Sequence, residues 1–246
     1  MIIIIINQYI CVDLFLRIMG DCRQCIVKEL NSLKSLSGDE LKCVSEHKNE
    51  LSFKKGDVIF KEGMMLNGVY CIKEGKCKLT KLSPNGKEQI VKFIKNGDML
   101  GYRSVLGEEP VNLSVVALED MQACFIPKKD LYDSIKNNRD FSKDMFKVVC
   151  HDLKDANDTV ANMAQKTVRE RLADTLLYLD ETFGEDEDGN INIKLSREEI
   201  ANAIGTATES AIRLLSDLKK DNVISLTGKK IKIVNESALK KIGNGF

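Results

Sequence analysis

Glu209 and Arg213 stand four residues apart in the stretch SREEIANAIGTATESAIRLLSDL, residues 196–218, and their types suggest a definite chemistry. On a helix this spacing stacks the two side chains on one face. A carboxylate accepts from the exocyclic amine of cytosine, and a guanidinium donates two bonds to O6 and N7 of guanine. The pair is therefore suited to reading G·C base pairs in a major groove. A plainer use stays open. Glu209 closes a capping box with Thr206 and forms a surface ion pair with Arg213, worth roughly a few tenths of a kcal/mol.

Sulfur offers the second candidate chemistry. The chain has eight cysteines, irregularly spaced apart from the Cys-x-x-Cys of Cys22 and Cys25. A thiol oxidoreductase places that motif after a strand in a βαβ unit, and no such unit follows. A structural zinc site needs two further ligands, but there is no second Cys-x-x-Cys and His47 and His151 are the only histidines. Cys43, Cys71, Cys77, Cys124 and Cys150 also suit the role of small buried hydrophobes. No Ser-His-Asp order or phosphate-cradling glycine loop is visible, so no enzyme activity is expected.

The elements that must position Glu209 and Arg213 are two short helices. Ser196 with Glu199, and Thr206 with Glu209, read as capping boxes, with Gly205 in the turn between. Ile200 and Ile204 give the first helix a buried face, and Ala211, Leu214, Leu215 and Leu218 give the second its own. This is a helix-turn-helix, presenting Thr208, Glu209, Ser210, Ile212 and Arg213, with Thr206, Ser196 and Arg197 beside the same surface. After it, VISLTGKKIKIV reads as a hairpin turning at Thr227-Gly228, which makes the motif winged. Lys229, Lys230 and Lys232 then fall on the wing, where phosphate contacts are expected. Lysines protecting a solvated strand edge are compatible with the same structure.

Upstream, the pattern changes twice. Between Leu51 and Leu131, short alternating segments punctuated by glycines predict an all-β jelly roll. From Phe141 the period is helical, and Val149, Leu153, Ala156, Val160, Met163 and Thr167 follow steps of four and three, the seam of a coiled coil. A dimerisation helix is expected, the alternative being an amphipathic helix packed on its own β-domain. A second helix, Arg169 to Phe183, carries Leu172, Leu176, Leu177 and Leu179 into a C-terminal core. The expected fold class is α+β and multidomain: a tail or over-extended start at 1–20, a β-roll sensor at 21–140, a dimerisation helix at 141–166, and a winged helix-turn-helix at 167–246. At 246 residues the chain has room for two modest domains, and a net charge of zero means that nucleic-acid binding must be argued from local arrangement. The opening MIIIIINQYICVDLFLRIM is interrupted by Asn7, Gln8, Asp13 and Arg17 and makes neither a convincing membrane span nor a signal peptide. A reducing cytoplasm is expected, with no membrane partner.

In this order the parts resemble the CRP/FNR family of bacterial transcription regulators over nearly all of residues 21–235. The matches are KKGDVIFKEG (54–63), YCIKEGKCKL (70–79), VRERLADTLLYL (168–179) and the helix-turn-helix region 195–224. The resemblance implies a homodimer on a palindromic operator in double-stranded DNA, with Glu209 and Arg213 reading its G·C pairs and RNA polymerase as a further partner of an activator. Thr208 stands where cyclic-AMP-type members carry an arginine, so the half-site should differ from theirs and lie nearer the FNR type.

For the effector, the departures carry most information. Cyclic-AMP binders have Gly-Glu, Arg-Ser and Thr-Ser pairs where this chain has Gly101-Tyr102, Val111-Asn112 and Ala156-Asn157. A cyclic phosphate without its guanidinium loses its main charge-assisted bonds, and Arg103 is the only nearby substitute. An effector pocket of Gly101, Tyr102, Arg103, Asn112 and Asn157 is thus not expected to take cyclic AMP. FNR-type members hold a [4Fe-4S] cluster on three N-terminal cysteines and one from the β-roll. Cys22, Cys25 and Cys124 match, the remaining position is Asn31, and Cys43 or Cys11 is the candidate fourth ligand. Two alternatives to a ligand-controlled regulator stay open: an iron-sulfur redox-responsive protein, and a cyclic-nucleotide-binding-like module acting on a protein partner.

Overall fold

The computed structural model describes residues 22–245, so the expectations for the tail and for Cys11 lie outside the described residues. Two compact units are present. Among the described residues, the first comprises 22–78 with Ile94–His151, and the second Leu79–Phe93 with 152–245.

The first unit opens with three 3-10 turns between Cys22 and Ser35 and a helix, α1 (Gly38–His47). Ser37 caps α1, its hydroxyl accepting from Glu40 N while Glu40 returns a carboxylate to Ser37 N. Strands follow in the order β1 (Asn49–Phe53), β2 (Val58–Phe60), β3 (Gly68–Glu74), β4 (Cys77–Leu82), β5 (Glu88–Ile94), β6 (Met99–Leu100), a short helix α2 (Tyr102–Gly107), β7 (Ser114–Ala117) and β8 (Met121–Pro127). They form two four-stranded sheets, β1-β8-β3-β6 and β2-β7-β4-β5. Alternation is clear in β7, where Val115 and Ala117 turn inward beside Phe60 of β2, whereas β3 is covered on both faces, burying Val69 and Ile72, with Ile126 of the neighbouring β8 also buried. Two helices close the unit, α3 (Lys128–Asn137) and the 27-residue α4 (Arg139–Gln165), which runs on into the second unit.

The second unit contains α5 (Val168–Phe183), α6 (Arg197–Ile204), α7 (Thr208–Lys220), the hairpin β9 (Ile224–Thr227) and β10 (Lys230–Ile233), and α8 (Glu236–Gly243). Its core is Leu172, Leu176, Leu179, Ile200, Ile204, Leu215, Leu218, Ile224 and Leu239, all essentially inaccessible. The helical period assigns those of α5, α6 and α7 inward, with Leu177 left half-buried. Helix α8 had no expectation of its own; its Leu239 is fully buried and its Ile242 half-buried. The β4–β5 hairpin belongs to this unit too. Gln89 Nε2 donates to the Ala203 carbonyl (3.2 Å), Asn202 Nδ2 to Glu88 Oε1 (3.4 Å), and the Tyr178 hydroxyl to the Phe93 carbonyl (3.4 Å).

Thr167 corrects the expected seam. Helix α4 stops at Gln165, and Thr167 is the N-cap of α5, its hydroxyl accepting from Glu170 N and its own N–H donating to Glu170. A threonine with a glutamate three residues on starts a helix, and this overrides the heptad spacing. The seam gains at its other end: Phe146, three residues before Val149, is 70% exposed, as is Val160, with Leu153 at 62%.

The turn between α6 and α7 depends on Gly205, whose φ of +67° is left-handed, and a Cβ there would stand 3.4 Å from both Gln89 Oε1 and Met163 Sδ. Gly205→Ala is expected to destabilise the protein by about 1–2 kcal/mol, measured by denaturant unfolding; unchanged stability would contradict the assigned turn.

Candidate functional site

Helix α6 begins as the sequence predicts. Ser196 Oγ accepts from Glu199 N (3.1 Å) and Glu199 Oε2 from Ser196 N (2.7 Å). It ends on the left-handed Gly205, and Thr206 N bonds back to Ala201 O (3.0 Å). The turn then takes one residue more than the expected capping box allows. The N-cap of α7 is Ala207, with no side-chain cap, and the helix starts at Thr208. Glu209 therefore sits second in the helix instead of third and does not close a box with Thr206, because the register is set by the backbone bond behind Gly205.

Glu209 and Arg213 are both exposed, and neither makes a hydrogen bond or ion pair among the described residues. The plainer reading required both a capping box and an ion pair, and neither forms. Beneath them Ala211, Leu215 and Leu218 are buried, which fixes the opposite face outward. Thr208 and Ser210 are half-buried beside the pair, and Ile212, 46% exposed, offers an apolar surface of the kind that meets a thymine methyl. Thr206 is half-buried at the turn.

The flanking cations divide into committed and available ones. Arg197 Nη2 donates to the Gly228 carbonyl (2.9 Å), tying the start of α6 to the wing turn. Lys230 Nζ is engaged by Asp188 (2.8 Å) and Asp186 (3.0 Å), so the acidic run before α6 holds it. N–H groups of Asn190, backbone first, and then Lys230 keep the Asp186 carboxyl well below the usual carboxylate range. Lys229 is exposed next to them. Sequence reading gave both lysines the same role because it could not see the acids folding back on one of them.

Arg171 was not singled out by its type or spacing. Its Nε donates to the Ile204 carbonyl (2.9 Å), and its Nη1 to the carbonyls of Lys166 (2.9 Å) and Met163 (3.3 Å). One guanidinium thus serves the C-terminal ends of both α6 and α4, where cations are favoured by the helix dipole.

In the β-roll, the residues proposed for an effector pocket are partly spoken for. Gly101 is left-handed at the start of α2, Tyr102 is buried, and Asn112 is exposed, as is Asn157 on α4. Arg103 pairs with Glu109 (3.1 Å) and donates to the Pro110 carbonyl (3.4 Å). Buried Val111 stands at the position expected of a phosphate ligand.

The cysteines gather differently from the matched pattern. Cys71 and Cys124 are directly opposed on β3 and β8. Cys22, Cys71 and Cys124 are buried and Cys25 is half-buried. Burial, then the nearby thiols of Cys124 and Cys25, push Cys71 up to about 12, against a bond from Asn31. Asn31 Nδ2 lies 3.3 Å from Cys71 Sγ, so the residue standing in place of the missing N-terminal cysteine touches a thiol that the pattern does not include. Burial also raises Cys124, which Lys48 Nζ approaches to 3.7 Å. Cys43 is exposed and lies beside His47.

Comparison with known proteins agrees with this architecture. Residues 50–138 match the model of the cyclic nucleotide-binding domain, and residues 170–242 that of the Crp-like helix-turn-helix domain. The chain is 26% identical over 226 residues to the fumarate and nitrate reduction regulatory protein of Vibrio cholerae, covering 90% of this chain and 89% of that one. It is 27% identical over 191 residues to the CRP-like cAMP-activated global transcriptional regulator of Mycobacterium tuberculosis, covering 77% and 85%. In fold it is similar to FixK2 from Bradyrhizobium japonicum, with a TM-score of 0.72 at 24% identity over 79% of this chain and 96% of that one. An N-terminal cyclic-nucleotide-binding-type roll, a long helix and a C-terminal winged helix-turn-helix define a DNA-binding transcription regulator. The chain belongs to the CRP/FNR family.

Because Arg213 has no partner among the described residues, its loss removes no internal bond. Arg213→Ala is expected to lose roughly 1–3 kcal/mol of discrimination at one guanine while changing unfolding stability by less than about 0.5 kcal/mol. Binding-site selection and denaturant unfolding read the two quantities. Unchanged base preference would refute the assignment.

Proposed function

We propose that the protein acts as a homodimer on a palindromic operator, each chain placing the first turn of α7 in one of two successive major grooves. The observation that carries this is the exposed, unpartnered Glu209 and Arg213 above a fully buried helix face. Glu209 accepts from a cytosine amine and Arg213 donates to the paired guanine of a neighbouring step, while Ser210, Thr208 and Lys229 reach the backbone. Thr206, Ser196 and Arg197 position the helix. RNA polymerase is the further partner if the bound dimer activates, and cytoplasmic DNA is the substrate.

The dimer rests on α4. Phe146, Val149, Leu153, Ala156 and Val160 follow steps of three and four along its exposed side. An apolar stripe this narrow and this exposed is what a second identical helix covers. An effector that repacks the stripe shifts the balance between DNA-competent and incompetent dimers by as much as its differential affinity for them. Cyclic AMP is a poor candidate, since Arg103 is engaged by Glu109 and Pro110.

Cys71, paired across β3 and β8 with Cys124 and felt electrostatically by Cys25 and Cys22, favours a second reading of the sensor. Four thiolates are the usual donor set of an iron-sulfur cluster, so these residues fit the group in number and type. They would hold it between the N-terminal turns and the β3/β8 pair, with Asn31 donating to the Cys71 sulfur. When bound, a [4Fe-4S] cluster supplies an oxygen-labile, redox-responsive link between those two segments.

Leu153→Asp places a charge in the seam and should yield monomers that no longer retain operator DNA. Sedimentation checks the mass, and a persistent dimer would refute the seam. For the sensor, protein purified without oxygen should contain about four iron atoms and as many sulfides per chain. Cys71→Ser should lose them and Cys43→Ser should keep them. An iron-free wild-type protein, or a Cys71→Ser variant that retains its iron, would contradict the four-thiol assignment.

A further inference from the structure

A separate group of metal-ligating side chains lies where α1 meets α3. Cys43 and His47 are four residues apart on α1 and so share one side of that helix. Asp130, in the first turn of α3, meets them there. Its Oδ1 is 2.8 Å from His47 Nδ1, and the same ring nitrogen stands 3.9 Å from Cys43 Sγ. One donor atom from each of the three residues lies within 4.8 Å of the others.

We propose that Cys43, His47 and Asp130 bind a divalent transition metal of the zinc type, with the fourth coordination position open. The donor chemistry selects the ion. A thiolate, an imidazole and a carboxylate together suit zinc and its first-row neighbours, whereas magnesium and calcium take oxygen ligands. Metal–ligand bonds of about 2.0–2.3 Å around a tetrahedral ion place donors roughly 3.3–3.8 Å apart. The observed separations bracket that range, so small side-chain rotations open the site.

A His47–Asp130 hydrogen bond by itself accounts for a carboxylate that is only 5% exposed. It does not account for a thiol brought to the same ring nitrogen. Metal entry takes Cys43 as the thiolate, whose proton leaves to solvent, and His47 as the tautomer that carries its proton on Nε2, leaving Nδ1 and Asp130 Oδ1 free to coordinate. The entry path is short, because Cys43 is exposed and the His47 side chain is 51% exposed. Three protein ligands leave a position for water or a small anionic ligand, as in open zinc sites. The bound ion would clamp the first turn of α3 to α1, while at the other end of α3 Asn138 donates to Glu40 Oε2 (2.9 Å) and the Ser35 carbonyl (3.0 Å) just before α4 begins.

The test is a titration of chelator-stripped, full-length protein with cobalt(II) in reducing, oxygen-free buffer. It is done in a Cys25→Ser background, so that cobalt bound by the four-thiol set is reduced and appears equally in every sample. The parent should show a thiolate-to-cobalt charge-transfer band together with the strong visible bands of four-coordinate cobalt. Adding Cys43→Ser should abolish the charge-transfer band of this site. Adding His47→Ala should weaken its cobalt affinity by at least about tenfold, the scale seen even when outer partners of a metal site are removed. Both added substitutions are at exposed positions, and circular dichroism verifies the fold. Identical affinity and spectra in the three proteins would overturn the site, as would a spectrum that responds to Cys43 alone.

Discussion

The guanidinium of Arg171 holds the DNA-reading part of the molecule in register. Two helices, α4 and α6, end with carbonyls that have no partner within their own helix, and Arg171 takes one from α6 and two from the end of α4. Charge-assisted bonds of this kind are roughly twice as strong as neutral ones, and a planar fork fixes direction as well as distance. Lys166 adds a neighbouring tie, bonding Asp174 (2.6 Å) and the Gly243 carbonyl (2.8 Å), so α5 and α8 are fastened to the same corner. Holding the end of α6 at this corner fixes where Gly205 turns the chain, and hence which residues of α7 face outward.

That geometry explains why the recognition pair is chemically available. Had the box at Thr206 formed, Glu209 would have spent its carboxylate on a backbone N–H. The left-handed Gly205 and the backward bond from Thr206 shift the start of α7 by one residue and release it. The surrounding charges are arranged in the opposite sense. Asp186 and Asp188 neutralise Lys230, and Arg197 is turned onto the wing. A neutral chain can therefore still present one exposed arginine to a groove without drawing it into an internal ion pair.

Where a signal lay within one element, it was legible in the sequence. The Ser196 box, the Gly205 turn and three of the four leucines assigned inward on α5 follow from local capping, conformational and periodic rules, and the wing hairpin is present with its turn one residue later than expected, at Gly228-Lys229, because Thr227 pairs with Lys230. The signals that failed required competition or distance to be known. Thr167 satisfied a heptad and a capping box at once, and the box won. Phe146 extended the apolar stripe but lay before the stretch where the heptad was counted. Cys71, separated in sequence from Cys22 and Cys25, joins them only because β3 pairs with β8, while Asn31 occupies the position that the family pattern gives to sulfur. Arg171 bonds to carbonyls, which carry no residue identity, so nothing in its neighbours pointed to it.

The central claim, that two copies of α7 read one palindrome, is tested most directly by hydroxyl-radical footprinting of the protein on a selected operator, combined with guanine methylation interference. Two protected patches on one face of the duplex are expected, centred one helical turn apart at about 34 Å, each with an interfering guanine in the major groove. A single patch, or protection without any interfering guanine, would contradict the account.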